Sequence, residues 1–299
     1  DTTFLVAGAH RALSSSGRTE EAVAFIRSAV ERGTLHSEQQ RPPHFVRGIS
    51  SHAWRDDAWR WRSVRLLEER YGEIRRDVLR AHAAGELLAQ GIADTEGLTP
   101  SGQWTELNLV HQGRTWDAHL AMLPVTASVL QSLPEHMSMV RGASKVSVLE
   151  PGTVLKPHCG PSNTRMRIHL PLLVPKAGPW IRVGAGEPRQ WIEGQCLVFD
   201  DSYEHESWNA GTEERIVLIV DVWHPDVDDE GRVASLIGGD AQDARLLETY
   251  RYRRSQFNDS EWAAQYVLAD DADGASGWVP AGPVPSRDAE KGSHVTQEL

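Results

Sequence analysis

The fold of this chain is decided by the run RMRIHL, Arg165–Leu170, in which basic and apolar side chains alternate. Alternate residues of an extended strand lie on the same face, so the two arginines and the histidine share one face and the methionine, isoleucine and leucine share the other. The apolar face is expected to pack on the body of the protein. The polar face would line either water or a polar cavity, where it would bind an anion. Taken alone, the run fits an ordinary half-exposed strand slightly better than an anion site.

Two more runs have the same β-type texture, Lys145–Leu149 and Arg215–Trp223. From about Gly91 onward, turn signals rich in Gly, Pro and Asn separate such runs, which is typical of an antiparallel jelly roll. The sequence therefore predicts a mainly β core. Its longest apolar run, near Ile216–Val220, is far too short to cross a bilayer.

The first part of the chain is predicted to be helical. Gly17 separates a helix around Phe4–Leu13 from a second one that carries Phe25 and Ile26 at helical spacing. Farther on, one long helix is predicted from an apolar stripe in steps of four, three and four residues, made by Leu67, Tyr71, Ile74 and Val78.

These patterns divide the chain into a helical N-terminal region (residues 1–90), a β domain (91–230) and a C-terminal extension (231–299). The extension contains a possible helix near Glu261–Leu268. Its last ~25 residues are rich in Ala, Gly, Pro and Asp and are expected to be disordered.

Charge and cysteine content restrict the function. The 299 residues include 31 basic and 42 acidic side chains, a net charge of −11, which argues against a nucleic-acid surface and weakly against an anionic membrane surface. The two cysteines cannot form a disulfide framework, and no signal peptide is recognisable at the N-terminus. A cytoplasmic location is therefore the expectation.

His158 and His205 are candidate metal ligands, because imidazole is the usual ligand of non-haem Fe(II). Many such sites add a carboxylate two residues after the first histidine, and here that residue is Gly160. By the general motif alone, one ligand of three is missing. Cys159 adjoins a candidate ligand, but adjacent side chains point apart in a strand, so packing or exposure is expected for it.

Arg215 stands ten residues beyond His205 and opens an apolar strand. It could bind a carboxylate in a bidentate manner, or it could be a strand-edge arginine paired with Glu213 or Glu214. Ser147 lies on the same predicted strand face as Lys145, and a serine in that position is most often satisfied locally.

Several motifs, in order and spacing, resemble the aspartyl/asparaginyl β-hydroxylases. They are Glu150–Thr153, Pro157–Asn163, Arg165–Leu170, Phe199–Trp208 and Asp221–Pro225, together with Arg215. The likeness covers roughly residues 91–225, with a fainter echo back to about Arg41. It implies a double-stranded β-helix (jelly-roll, cupin-like) core with the N-terminal helices packed on it.

The resemblance also implies the cofactors: Fe(II), with 2-oxoglutarate and O2 as cosubstrates. In that family a glycine replaces the carboxylate ligand, so Gly160 becomes a point of agreement. His158 and His205 then match the two iron ligands. We expect that an aspartate at position 160 would keep or raise the affinity for iron but lose most hydroxylation.

Other residues are assigned by their match to the family motifs. Arg215 and Ser147 match the positions that hold the distal carboxylate of 2-oxoglutarate, and Arg167 and His169 match positions near its metal-binding end. Trp104 resembles the tryptophan on the cosubstrate side. Arg165 matches a position that binds the carboxyl side of the substrate.

The chain departs from the family in its substrate wall. Glu106 stands where an amide is expected and Thr99 where a basic residue is expected, and no cysteine pair matches the lumenal disulfide of members that act on secreted domains. Three functions stay open: hydroxylation of an Asp or Asn residue in a peptide or protein, tailoring of a small molecule with a carboxyl or amide group, and a non-catalytic cupin-like binding module. The last is least favoured, because all the candidate ligands are present.

Overall fold

The computed structural model describes residues 2–176, 178–236 and 241–263. Its strands are β1 (Ile92–Ala93), β2 (Trp104–His111), β3 (Arg114–Thr115), β4 (Ala143–Leu149), β5 (Val154–His158), β6 (Arg165–Leu173), β7 (Pro179–Val183), β8 (Arg189–Gln190), β9 (Leu197–Phe199), β10 (His205–Asn209) and β11 (Arg215–Trp223). Its helices are α1 (Thr2–Ser15), α2 (Thr19–Glu31), α3 (Arg62–Glu69), α4 (Tyr71–Ala83), α5 (Glu86–Gln90), α6 (Asp117–Met122), α7 (Pro124–Gln131), α8 (Pro134–Met137), α9 (Asp229–Ser235), α10 (Ala241–Arg254) and α11 (Asp259–Ala263), and a 3-10 turn at Ala58–Arg60 precedes α3.

The strands form two antiparallel sheets. The larger sheet has the order β1-β2-β4-β11-β6-β9, with β3 also paired to β2, and the smaller sheet has the order β5-β10-β7-β8. Between the sheets, Ile181 and Val183 of β7 share a buried cluster with Val217 and Ile219 of β11. Two stacked sheets whose neighbouring strands are distant in sequence are the mark of a jelly roll. The predicted double-stranded β-helix is confirmed.

Helices cover the outer face of the larger sheet. Met166, Ile168 and Leu170 of β6 lie in one buried cluster with Val64 of α3 and Ile74 of α4. Burying an aliphatic side chain of this size contributes about 1.5–3 kcal/mol, so the helical layer and β6 stabilise each other. The apolar half of the alternation in β6 therefore faces the helices, as the sequence predicted.

The long helix predicted through Leu67 and Val78 is wrong as a single element. It is broken at Arg70, whose backbone (φ −91°, ψ 5°) departs from the helical ψ of about −42°. Leu67 of α3 and Ile74 and Val78 of α4 are nevertheless completely buried. The apolar stripe is continuous because both helices contact β6. No proline marks the break, and the nearest glycine, Gly72, lies inside α4.

At the N-terminus, α1 and α2 are joined at Gly17, which has a left-handed backbone (φ 76°) that favours glycine. Ile26 and Ala29 of α2 pack on Leu35 and Phe45, so the extended segment after α2 is anchored to the helical pair. This segment continues toward the loops that carry His158 and His205.

At the other end, α11 covers the first three residues of the helix predicted near Glu261–Leu268. Residues 264–268 and the final segment expected to be disordered lie outside the described residues. The division of the chain at residues 90 and 230 stays a prediction. In the described ranges, no helix is long and apolar enough to span a membrane.

Candidate active site

The polar half of β6 lies between the two sheets. Arg165 and His169 are only 5% and 6% exposed. The ring of His169 meets that of Phe199, a member of the cluster between the sheets, with centroids 5.0 Å apart. Of the two arrangements that the alternation allowed, the structure has the polar face buried in the interior and not half-exposed to water.

His158 and His205 lie opposite each other on two neighbouring strands. His158 ends β5, His205 begins β10, and the two residues are paired in register with ring centroids 4.2 Å apart. Nδ1 of His158 lies 2.7 Å from the carbonyl oxygen of Lys156, and Nδ1 of His205 lies 2.9 Å from that of Tyr203. A carbonyl oxygen only accepts, so each Nδ1 carries the proton and each Nε2 keeps its lone pair. This tautomer is the one that binds a metal through Nε2.

Burial also keeps the two imidazoles neutral. It lowers the pKa of His158 below its usual range, with a further contribution from nearby Arg167, and it lowers the pKa of His205 to about 3. A metal ion competes with a proton for the same lone pair. Both histidines are therefore ready to ligate at neutral pH.

Asp201 fills the space beside Gly160. A Cβ built on Gly160 would lie 2.3 Å from Oδ2 of Asp201, and the N–H of Gly160 donates to the Asp201 carbonyl at 2.6 Å. A side chain at position 160 would therefore displace Asp201 before it could reach a metal. Within the described residues, no three His, Cys, Asp or Glu side chains are placed to hold one ion. The two imidazoles stay the predicted metal ligands, and close packing against Asp201 is a second reason for a glycine at position 160.

Cys159 does not join the histidine pair. Its Sγ lies 3.8 Å from the carbonyl oxygen of Gln39, and burial raises the pKa of its thiol to about 11. A protonated thiol is a poor metal ligand. In the part of the chain that the structure describes, neither Cys159 nor Cys196 forms a disulfide.

Arg215 lies in a buried pocket without an acidic partner. It is 2% exposed, its Nη2 is 3.5 Å from Oγ of Ser147, and its Nε has no hydrogen-bond partner. Nε1 of Trp104 donates to the same hydroxyl at 2.9 Å. Among the described residues no carboxylate forms an ion pair with Arg215, and Glu214, one of the two candidates, pairs with His82 instead.

An unpaired buried cation is costly. Burial lowers the pKa of Arg215 to about 9, and the carboxylate of Glu106 opposes that shift. The guanidinium is therefore still charged at neutral pH, and leaving such a charge uncompensated costs several kcal/mol. A bound anion would remove this cost, so the surroundings of Arg215 favour an anion site.

Trp191 connects this pocket to His169. Nε1 of Trp191 donates to Nδ1 of His169 at 3.2 Å, which leaves the proton of His169 on Nε2, a buried atom without a partner. The guanidinium of Arg215 lies 4.8 Å from the centroid of the Trp191 ring. Nothing in the sequence indicated Trp191, because this residue belongs to none of the recognised motifs. It lies in the segment between β8 and β9, which connects the two sheets. Two donors without partners, on Arg215 and His169, thus lie on either side of one indole.

Arg165 and Arg167 are already paired with buried carboxylates. Arg165 donates to both oxygens of Asp201 (3.1 and 2.5 Å), and Arg167 donates to both oxygens of Asp221 (2.8 and 3.0 Å). Cross-pairs of 3.1 and 3.2 Å close the four groups into a ring. Burial alone would raise the pKa of Asp221, but the two arginines outweigh it and hold that pKa below its usual range.

This ring alters the picture drawn from the motifs. The charge of Arg165 was expected to be available for a substrate carboxylate, and it is instead neutralised by Asp201 and Asp221. Its role in substrate binding stays a prediction, as does that of Arg167 in cosubstrate binding. Neither aspartate was recognised in the sequence as a partner, because Asp201 lies 36 residues from Arg165 and Asp221 lies 54 residues from Arg167.

The segment before α3 braces the loop that carries His205. Nε2 of the fully buried Gln40 donates to Oδ2 of Asp200 at 3.0 Å and to Oγ of Ser202 at 2.9 Å. The N–H of Glu204 donates to the carbonyl of Gln39 at 2.6 Å. The helical region thereby supports the loop that leads to His205, a predicted metal ligand, although its sequence carries no signal of this contact.

A sequence model of the family described as aspartyl/asparaginyl beta-hydroxylase matches residues 68–225. The chain belongs to this family. Its relatives include the aspartyl/asparaginyl beta-hydroxylase of Homo sapiens, 35% identical over 215 residues, which are 71% of this chain and 28% of that protein. The aspartate beta-hydroxylase domain-containing protein 2 of Rattus norvegicus is 44% identical over 133 residues, 43% of this chain and 38% of that protein. The chain thus spans well under half the length of these β-hydroxylase relatives.

Solved structures resemble the chain more remotely. A prolyl-4-hydroxylase of Pseudomonas putida matches 58% of this chain and 90% of its own at 13% identity, with a TM-score of 0.32. A cupin-like protein of Thermotoga maritima matches 49% of this chain and 93% of its own at 15% identity, with a TM-score of 0.28. At these scores the likeness carries no argument of its own, and the β-hydroxylase fold is defined here by the strand order.

Proposed function

We propose that this chain is an Fe(II)- and 2-oxoglutarate-dependent hydroxylase that oxidises the β-carbon of an Asp or Asn residue in a peptide or protein. The observation that carries the proposal is the buried, unpaired Arg215 in the same interior as two neutral histidines whose Nε2 atoms are free to ligate. A cation without a partner favours a dianionic cosubstrate, and membership of the β-hydroxylase family supports the reaction.

The residues fit both groups. His158 and His205 would hold the iron through Nε2. Asp201 fills the space beside Gly160, so residue 160 has no room for a side chain that could act as a third ligand. Arg215 and Ser147 would bind the distal carboxylate of 2-oxoglutarate, with the indole of Trp104 fixing the Ser147 hydroxyl. Charge-assisted hydrogen bonds of this kind are worth roughly 1.5–3 kcal/mol each.

The Nε2–H of His169 would donate to the opposite end of the cosubstrate, since it is a buried donor without a partner on the other side of Trp191 from Arg215. Arg167, held in place by Asp221, lies next to it on the strand. Fe(II), 2-oxoglutarate and O2 together supply the oxidation of a C–H bond, with succinate and carbon dioxide as coproducts. The protein supplies orientation and a dry interior, which is what the burial of Arg215 and His205 provides.

The proposal is tested by coupled product analysis. Purified protein with Fe(II), O2 and 2-oxoglutarate should form succinate, and a panel of peptides and small molecules containing Asp, Asn or related units should reveal a substrate that gains one oxygen atom in step with succinate. Failure to bind 2-oxoglutarate with iron present would contradict the proposal.

A further inference from the structure

Four cations line the interior face of the larger sheet, and three of them have a carboxylate of their own. Glu106 pairs with Lys145, Asp201 with Arg165, and Asp221 with Arg167. The side chains of Lys145 and Glu106 are each only 14% exposed, so this pair is largely shielded from water. The fourth cation, Arg215, is the one assigned to the cosubstrate. The rest of the interior is therefore electrically balanced before any substrate enters.

Glu106 occupies a central place in this balance. It is paired in register with Ser147, the residue whose hydroxyl is shared by Trp104 and Arg215. Burial lowers the pKa of Arg215, and the carboxylate of Glu106 opposes that shift. Burial would also lower the pKa of Arg167, but Asp201, Asp221 and Glu106 outweigh it and hold that pKa above its usual range. Its field thus reaches the cosubstrate pocket on one side and the arginine–aspartate ring on the other.

A substrate carboxylate would disturb this arrangement. Apart from the Arg215 assigned to the cosubstrate, it would find no cation on this face, among the described residues, that lacks a carboxylate of its own. The substrate charge would stay uncompensated, or it would have to break one of the buried ion pairs. Either outcome leaves an unpaired charge in the interior, which costs free energy. An uncharged carboxamide avoids this cost, because its oxygen accepts from a guanidinium N–H while its NH2 group donates to a carboxylate.

We propose that the substrate group held beside the metal is a carboxamide, as in an asparagine residue, and that Glu106 sets this preference over a carboxylate by neutralising Lys145. The inference rests on the proposed function and narrows its substrate class. Removing the charge of Glu106 leaves Lys145 as an unpaired cation, which would then bind an aspartate carboxylate.

The test uses two degenerate peptide libraries that differ only in Asn or Asp at the central position. Each is applied to the immobilised full chain loaded with Zn(II), which has no redox chemistry, and 2-oxoglutarate. Mass spectrometry of the retained peptides measures binding, and oxygen incorporation is then measured with Fe(II). The proteins are the parent, Glu106→Gln, Glu106→Gln with Lys145→Gln, and Glu73→Gln, which removes a surface ion pair with Arg70 as the matched control.

The parent is expected to retain the Asn library over the Asp library by about tenfold or more, and Glu106→Gln to shift that ratio toward Asp by about tenfold. The double variant, again balanced in charge, should return to the preference for Asn, and Glu73→Gln should equal the parent. The inference is overturned if the parent prefers Asp, if Glu106→Gln leaves the ratio unchanged, or if neither library is retained although 2-oxoglutarate binds. Absence of 2-oxoglutarate binding would overturn the proposed function as well, which separates the two failures.

Discussion

At the scale of single residues, His158 and His205 owe their chemistry to the carbonyl groups that fix their tautomers. Each Nδ1–H is held by a carbonyl two residues earlier in the chain, so each Nε2 is left as an acceptor. Replacing either histidine with alanine removes one of two protein ligands. We expect either variant to lose stoichiometric Fe(II) binding, measured as metal content after dialysis, and turnover with it.

The control for that experiment is His36→Ala, because His36 is exposed and its ring contacts only that of Phe45, at 5.3 Å. It should bind iron like the parent. Full metal content and activity in both ligand variants would remove His158 and His205 from the site.

Gly160 and Asp201 are a second pair of residues in direct contact. An aspartate at position 160 would push its Cβ into the Asp201 carboxylate and place two negative groups together. Overpacking of this kind costs about 1–3 kcal/mol. Gly160→Asp should therefore lower the free energy of unfolding by that amount and lose most hydroxylation. This collision, rather than only an added ligand, is the reason we expect the variant to fail.

Gly160→Ala provides the matched comparison, since it adds the same Cβ without a second carboxylate and keeps the ion pairs of Asp201. It should also be less stable than the parent, measured by urea unfolding, but should lose less than Gly160→Asp. Equal stability of the parent and Gly160→Asp would show that Asp201 does not fill the space beside residue 160.

At the scale of elements, strand β6 shows what the sequence could and could not predict. Its alternation predicted that Met166 and His169 lie on opposite faces, because side-chain direction in a strand is a local property. Only the structure shows that the helices cover the face of Met166 and that His169 lies in the interior. The partners of its arginines, Asp201 and Asp221, come from other parts of the chain, and only the folded sheet brings them together. The contact of Trp191 with His169 could not be predicted for the same reason. The break at Arg70 was also missed, since α3 and α4 both pack on β6 and share one apolar stripe.

The segment around Gln40 helps to position the loop that leads to His205. The Gln40 side chain joins Asp200 and Ser202 in this loop. Gln40→Ala would leave the buried Asp200 carboxyl without that donor, at a cost of about 1–3 kcal/mol. We expect lower stability in urea and weaker Fe(II) binding than in the parent.

Arg41→Ala is the matched change at the neighbouring position, where the side chain makes a partly exposed pair with Glu204. It should cost at most about 1 kcal/mol, as such pairs usually do. If Gln40→Ala bound iron like the parent, the helical region would not position the ligand.

At the scale of the whole molecule, buried titratable groups determine the response to acid. Burial lowers the pKa of His136 and His224 to about 4 and that of His205 to about 3, compared with about 6.5 in an unfolded chain. These residues take up protons on unfolding below pH 6.5, so their contribution to stability is lost as the pH falls toward the folded values. His169, with a pKa well below its usual range, acts in the same direction.

Two buried carboxyls act in the opposite direction. Burial raises the pKa of Glu135 and of Asp200 to about 7, so they release protons when the chain unfolds between about pH 4 and 7. The histidines outnumber them, and the free energy of unfolding should fall as the pH drops from 6.5 to about 4.5. Glu135→Gln should steepen this slope by about 1.4 kcal/mol per pH unit, the equivalent of one proton, whereas exposed Glu73→Gln should leave it unchanged. A slope that does not respond to Glu135→Gln would show that this carboxyl is ionised in the folded protein.

The central claim is that the interior of the β-sandwich is an anion site completed by 2-oxoglutarate, and it is tested most directly by unfolding Arg215→Met with and without that ligand. In the metal-loaded parent, 2-oxoglutarate at a hundredfold excess over its Kd should raise the free energy of unfolding by about 2.7 kcal/mol. Arg215→Met should lose this gain, yet without ligand it should be as stable as the parent or more stable, by up to about 4 kcal/mol, since it removes an unpaired buried charge. Arg189→Met is the control, because Arg189 also lies over a tryptophan, Trp54 at 4.3 Å, but on the surface beside Asp56. A ligand-free Arg215→Met that is less stable than the parent and is still stabilised by 2-oxoglutarate to the same extent would contradict the account.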